Sequence, residues 1–191
     1  MRTLVFATHN PNKAREIQEM CGPEFRILTL SDIGFHDEIV EDREDLEGNS
    51  RLKAETVAPH SEYPVFSDDT GLEVHALSGA PGVHSARYAG EPRSDQRNTQ
   101  KLLRELEGQT DRSARFRTVV TLVDGEDVVQ FEGIVNGKII AELQGDGGFG
   151  YDPIFVPENG DRTFAKMSSE EKNAISHRKR AFTKLIDHLK S

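Results

Sequence analysis

Pro64-Val65-Phe66-Ser67-Asp68-Asp69-Thr70-Gly71-Leu72 is an apolar run that passes straight into two carboxylates, a hydroxyl and a glycine. Pro64-Val65-Phe66 reads as the end of a buried strand, and in open α/β sheets the strand ends are where ligands bind. Successive side chains on a strand point to opposite faces. If the strand continues through Asp68 and Asp69, one carboxylate reaches a ligand or metal and the other braces a loop. The plainer alternative is an Asp-Asp-Thr-Gly turn, with short strands over Val65–Ser67 and Leu72–Ala76 on either side of it. The segment taken alone favours neither, and along the chain it reads as those two strands around a turn at Asp68-Asp69.

Outward from this point the chain alternates strand and helix signals. Leu4-Val5-Phe6-Ala7 reads as a buried strand. Asn10 is a good N-cap and Pro11 suits the first helical position, so a helix is expected from Asn10 to about Met20, ended by Gly22-Pro23. Phe25–Leu30 reads as a second strand and Asn49–Ala58 as a helix. Between them, Asp37 to Glu47 is acidic with Arg43 its only base, the composition of a solvated, mobile loop. Residues 79–90 read as a long loop. Ser94–Leu106 reads as a helix, with Leu102, Leu103 and Leu106 apolar at helical spacing and Gly108 as a stop. Asp124-Gly125 and Asn136-Gly137 separate the apolar runs 116–123, 128–135 and 138–141, which predicts two hairpins with type I′ turns. Ile154-Phe155-Val156 reads as a strand. The C-terminal stretch places Phe182, Leu185, Ile186 and Leu189 on one helical face. These signals predict one α/β domain over residues 1–191, with an antiparallel meander in its middle.

Composition narrows the function. With 35% hydrophobic and 30% charged residues, the chain is of the globular kind. A net charge of −9 argues against a general nucleic-acid or membrane-surface binder, since these need a basic face, but leaves room for a basic pocket and a small anionic substrate. Cys21 is the single cysteine, so no disulfide framework is expected and a reducing cytoplasm is the simplest compartment. No apolar run has membrane-spanning length, and Met1–Ala7 is too short an apolar start for a secretion signal.

Four segments carry candidate chemistry. Thr8-His9-Asn10-Pro11-Asn12-Lys13 follows the first strand and opens a helix, and the N–H groups of a helix N-terminus suit an anion. Gly145-Asp146-Gly147-Gly148-Phe149-Gly150-Tyr151-Asp152 is a glycine-dense loop in which Phe149 or Tyr151 is placed to stack on a planar base. In Lys172–Arg180, Lys172, His177 and Arg178 do not share a face of one continuous helix. Ser176 as the cap of a new helix would set His177 and Arg178 beside its N-terminus. Glu41, folded towards Asp69, would complete a pair of hard oxygen ligands for Mg²⁺. No Cys/His cluster points to zinc.

Taken in order, Thr8-x-Asn10-x-x-Lys13, Ser67-Asp68-Asp69-Thr70-Gly71-Leu72, Pro81-Gly82-Val83-His84-Ser85-Ala86-Arg87-Tyr88, Gly148-Phe149-Gly150-Tyr151-Asp152-Pro153 and Ser176-His177-Arg178 closely resemble the inosine triphosphate pyrophosphatases, the non-canonical purine nucleoside triphosphate pyrophosphatases. The resemblance spans nearly the whole chain. It implies a mixed twisted β-sheet flanked by helices, in two lobes with a central cleft. It implies hydrolysis of ITP, dITP and XTP to the monophosphate and pyrophosphate, with Mg²⁺, by a cytoplasmic homodimer. By the same resemblance Asp69 is the catalytic carboxylate and, with Glu41, a metal ligand. Thr8, His9, Asn10, Pro11, Asn12 and Lys13 form the phosphate loop, and Thr70 lies beside the substrate. Phe149, Gly150, Tyr151 and Asp152 form the base loop, and Lys172, His177 and Arg178 make further contacts, Lys172 helping to neutralise the triphosphate. His177, Arg178 and the N–H groups of residues 149–152 are then the expected donors to the purine O6. Where the family often reads Glu-Thr-Gly, this chain has Glu41-Asp42-Arg43, followed by Asp45-Leu46-Glu47-Gly48-Asn49, so Glu44 or Glu47 is an alternative second ligand. The rival readings are a Maf-type pyrophosphatase for modified pyrimidine nucleotides and a non-catalytic nucleotide sensor.

Overall fold

The computed structural model describes residues 1–191. Its elements are β1 (Arg2–Phe6), α1 (Pro11–Cys21), β2 (Phe25–Leu28), α2 (Leu46–Val57), β3 (Val65–Val74), β4 (Pro81–Gly82), α3 (Asp95–Glu105), β5 (Ser113–Asp124), β6 (Asp127–Ile139), β7 (Phe155–Pro157), α4 (Ser169–Ile175) and α5 (His177–Lys190). The strands form one seven-stranded sheet in the order β2-β1-β3-β5-β6-β7, with β4 paired to β3. β1 runs parallel to both neighbours, with Arg2 opposite Phe25 and Val5 opposite Val65. β3–β4 and β6–β7 are antiparallel. The sheet is therefore mixed, as expected, and helices flank it.

Three expectations give way. Asp68 and Asp69 do not form a turn: β3 continues through them to Val74, so the two carboxylates alternate. Asn136-Gly137 is likewise no hairpin, because β6 runs unbroken to Ile139. Gly137 pairs with Pro157 of β7, and a Cβ on it would strike the Val156 carbonyl oxygen and stand 2.6 Å from the Phe155 ring. The glycine admits a neighbouring strand and does not turn the chain. The first hairpin exists, but only Gly125 of its Gly125–Glu126 turn has positive φ, the pattern of a type II′ turn and not type I′.

Other boundaries move little. α2 starts earlier than expected, at Leu46, because Asp45 caps it by accepting from Gly48 N–H at 2.6 Å. The loop over residues 79–90 holds the two-residue β4 and a 3₁₀ turn at Ser85–Arg87.

The chain divides into two compact units, Met1–Asp69 with Val119–Glu132 and Ala181–Ser191, and Thr70–Thr118 with Gly133–Arg180. In the first, the apolar face of α1 (Ala14, Ile17, Cys21) and that of α5 (Ala181, Phe182, Leu185, Ile186, Leu189) pack on Leu4, Phe6 and Phe66. Phe6 and Phe66 stack at 4.6 Å, and both meet the edge of Phe182. A second cluster gathers Val5, Leu30, Ala54, Val57 and Val65. In the second unit, Leu72, Leu102, Leu106, Phe116, Phe155 and Phe164 form the core.

Candidate active site

The first unit carries the charged groups. Asn10 caps α1 as expected, and its Oδ1 accepts from the N–H groups of Asn12 and Lys13 at 3.0 and 3.3 Å. Thr8 Oγ1 accepts from Asn10 N–H at 3.1 Å. This corrects the expectation of open N–H groups at this helix start: the chain's own side chain caps two of them. His9 Nε2 lies 3.4 Å from the Asp37 carbonyl oxygen, and Pro11 is exposed at the first helical position. Lys13 Nζ donates to both oxygens of Asp68, at 3.0 and 3.2 Å. The Asp68 side chain is only 3% exposed, so this is the bracing carboxylate and Lys13 supplies its counter-charge.

Asp69, on the next position of β3, meets another cation. Lys53 Nζ lies 3.1 Å from Glu41 Oε1 and 3.8 Å from Asp69 Oδ1, with Lys53 and Asp69 side chains 13% and 14% exposed. One ammonium thus draws Glu41 of the acidic loop to the Asp69 carboxylate in the middle of β3. Glu47 has a different place, in the first turn of α2, where its carbonyl accepts from Gln130. Thr8, His9, Lys13, Glu41, Lys53 and Asp68 line a cavity of about 530 Å³. The sequence reading missed Lys53. A signal existed: Leu46, Ser50, Ala54 and Val57 are the buried stripe of α2, and Lys53 falls on that stripe, where a lysine needs an anionic partner.

The second unit carries the glycine loop. Phe149 is 65% exposed, while its N–H donates to Asp152 Oδ2 at 2.9 Å. Asp152 is buried and also accepts from Lys172 Nζ, and that ammonium stands 4.4 Å from the Phe149 ring centre. Lys172 is therefore tied to the glycine loop rather than held ready for phosphates. Tyr151 is 4% exposed and its hydroxyl donates to the Ser85 carbonyl at 2.8 Å, which removes it as a stacking platform. Burial, reinforced by Tyr88, Asp95 and Glu105, pushes its phenol well above the ordinary value, so it stays a donor. The N–H of Gly150 goes to Asp95 and that of Asp152 to the Phe149 carbonyl. With Phe149 these make three loop N–H groups already bound within the protein, contrary to their expected service to O6.

Ser176 caps α5, accepting from Lys179 N–H at 3.0 Å, and so separates α4 from α5 as the spacing of His177 and Arg178 required. His177 stacks on Phe116 at 5.0 Å. Lys179 and Arg180 are exposed. Thr70 Oγ1 lies 2.8 Å from Thr118 Oγ1.

Fold and side chains define a class: an α/β protein with charged groups gathered on β3 just past the end of β1, and strand ends are where such sheets take ligands. The chain belongs to the Ham1 family, whose sequence profile matches residues 4–188. It is 51% identical over 188 residues to a dITP/XTP pyrophosphatase of Flavobacterium psychrophilum, covering 98% of this chain and 99% of that one. It is 48% identical to the dITP/XTP pyrophosphatase of Christiangramia forsetii, covering 97% and 98%. The solved structure of the Staphylococcus aureus Ham1 protein superposes with a TM-score of 0.94 at 38% identity, covering 99% of this chain and 98% of that one.

Proposed function

We propose that this protein hydrolyses non-canonical purine nucleoside triphosphates (dITP, ITP and XTP) to the nucleoside monophosphate and pyrophosphate, clearing them from the nucleotide pool. The observation that carries the reading is the pair Glu41 and Asp69 on the Lys53 ammonium. Two carboxylates drawn to one cation are a donor set that suits Mg²⁺, which binds through one or two carboxylates and substrate phosphates. Bound there, the metal supplies charge neutralisation for the triphosphate. The relatives' shared activity supports the same reading.

In this mechanism a water attacks the α-phosphorus, the α–β P–O bond breaks and pyrophosphate leaves. Asp69 orients the water and takes its proton. Lys13 and the loop from Thr8 to Asn12 hold the phosphates, which requires Lys13 to share itself with Asp68. Thr70 lies beside the reacting phosphate. The exposed ring of Phe149 stacks on the base, and His177 and Arg178 donate to the purine O6. Tyr151 and Asp152 shape the base loop from behind, and Lys172 acts with it. Most of the acceleration is then positioning and charge stabilisation. We further propose a homodimer that works in the cytoplasm. No helix is long and apolar enough to cross a membrane.

The test is pyrophosphate release from a panel of ITP, dITP, XTP, GTP, ATP and modified pyrimidine triphosphates, with and without Mg²⁺. Preference for the first three supports the reading. Preference for a pyrimidine, or binding without release, refutes it.

A further inference from the structure

Helix α3 turns a polar stripe inward. Asp95, Asn98 and Thr99 stand at i, i+3 and i+4, one face of a helix, and Asn98 and Thr99 are buried. Polar side chains in such positions cost free energy unless they are hydrogen-bonded. Their partners are backbone groups of two loops. Asn98 accepts from Ala89 N–H at 2.7 Å and donates to the Ala86 carbonyl at 2.9 Å. Asp95 Oδ2 accepts from Gly150 N–H at 2.8 Å, and Thr99 Oγ1 donates to the Gly150 carbonyl at 3.3 Å. Both polar backbone groups of one glycine are therefore bound to one helix. The Tyr151 hydroxyl, on the Ser85 carbonyl, ties that glycine's neighbour to the loop that Asn98 holds.

Gly150 has a φ of +61°. A glycine enters and leaves that region without steric penalty, so the chain itself does not fix the conformation. The two bonds from α3 do. The residue just before it is Phe149, whose ring is the exposed one, and whose N–H is fixed from the other side by Asp152. The aromatic ring thus projects from a backbone pinned on both flanks, in a stretch of glycines that would otherwise be mobile. Ordering such a segment only when a ligand arrives weakens binding, and ordering it beforehand removes that cost.

We propose that Asp95 and Thr99 are positioning residues for base recognition, holding Gly150 so that Phe149 offers its ring to the purine already in place. The proposal rests on the base-loop role given to Phe149 above. Neither residue touches the reacting atoms. Their loss therefore weakens binding of the base and leaves the handling of the phosphates intact.

The experiment is steady-state hydrolysis of ITP by the intact protein, with inhibition by inorganic tripolyphosphate as a probe that has phosphates and no base. Thr99→Val and Asp95→Ala are expected to raise KM for ITP roughly 10-fold, about the loss of one hydrogen bond, with kcat within about 2-fold of wild type. The tripolyphosphate inhibition constant should stay unchanged. Thr99→Ser and Asp95→Asn, which keep a hydrogen-bonding group, should return KM to within about 3-fold. An unchanged KM overturns the proposal, as does a rise in the tripolyphosphate constant that matches the rise in KM. A lowered melting temperature with unchanged KM also overturns it, since the contacts would then serve stability alone. If Thr99→Val does not fold, Asp95→Ala at the edge of the helix gives the same readouts. Wild-type protein that releases no pyrophosphate from ITP refutes the proposed function before any variant is made. Active wild type with unaltered variants refutes only the positioning role.

Discussion

Asp69 and Glu41 are negative groups brought to a single ammonium, and each yields a distinct expectation. Asp69→Asn keeps the shape and removes the charge, so turnover should fall by about 10²–10⁴-fold, the usual cost of a lost general base, while nucleotide still binds. Single-turnover assays beside equilibrium binding check this, and near-normal turnover would shift the role to Asp68. Glu41→Gln should raise the Mg²⁺ concentration needed for half-maximal rate, measured by metal titration after chelation. If Glu47→Gln shifts that value and Glu41→Gln does not, the ligand assignment is wrong. Cys21 belongs to the core of the first unit, and burial pushes its thiol up to about 11 despite the opposing pull of Lys190. A raised value favours the neutral form in the folded state. This contribution to stability is therefore complete below the unfolded thiol's value of about 8.5 and lost as pH rises through the folded value. Ellman's reagent at pH 8 should find no reactive thiol in native protein and one after denaturation. Asp69 and Glu41 stood out as candidates because residue type announces their chemistry. Lys53 did not: its place on the buried stripe of α2 was a local signal for an anionic partner, but which partner depends on Glu41, twelve positions away in the chain, a juxtaposition that only folding creates. Tyr151 misled for the opposite reason: local sequence names an aromatic, but tertiary packing decides whether its face is open.

Elements with strong local signals were read well. The Asn10 cap, the helix over 94–106 with its leucines and the apolar face of α5 each follow from neighbours in sequence, and each stands within a residue or so of where it was expected. The errors fell where a dipeptide with turn chemistry lies inside a strand. Asn136-Gly137 and Asp68-Asp69 both suggest turns, and pairing with adjacent strands overrides the suggestion in each case. Gly137 is the sharper example, because its lack of a side chain is what lets β7 approach. Gly137→Ala should therefore cost about 1–3 kcal/mol through overpacking against Phe155 and Val156. That corresponds to a melting temperature lower by roughly 2–4 °C for each kcal/mol in a chain of this size, read by thermal unfolding. An unchanged melting temperature would mean that β7 gives way freely. The same substitution at Gly125, which has positive φ but where an added Cβ would meet no atom within 4 Å, meets backbone strain alone.

At the scale of the whole molecule, the proposed homodimer predicts a sedimentation mass of twice the 21.3 kDa chain, and a species at the single-chain mass under assay conditions would exclude it. Class and general fold were legible from the full set of motifs, whereas the bounds of the two units were not, because no linker or change in composition marks them. The first unit is assembled from three separated stretches, the last being Ala181–Ser191. Phe182, Leu185 and Leu189 of that stretch are buried against Leu4 and Phe6 near the other end of the chain. A ribosome adds roughly 5–20 residues per second, so β1 waits about 10–40 s for the partners that cover it. Through that interval the nascent chain carries an unfinished apolar surface on β1, and residues 181–191, translated much later, are the ones that close it.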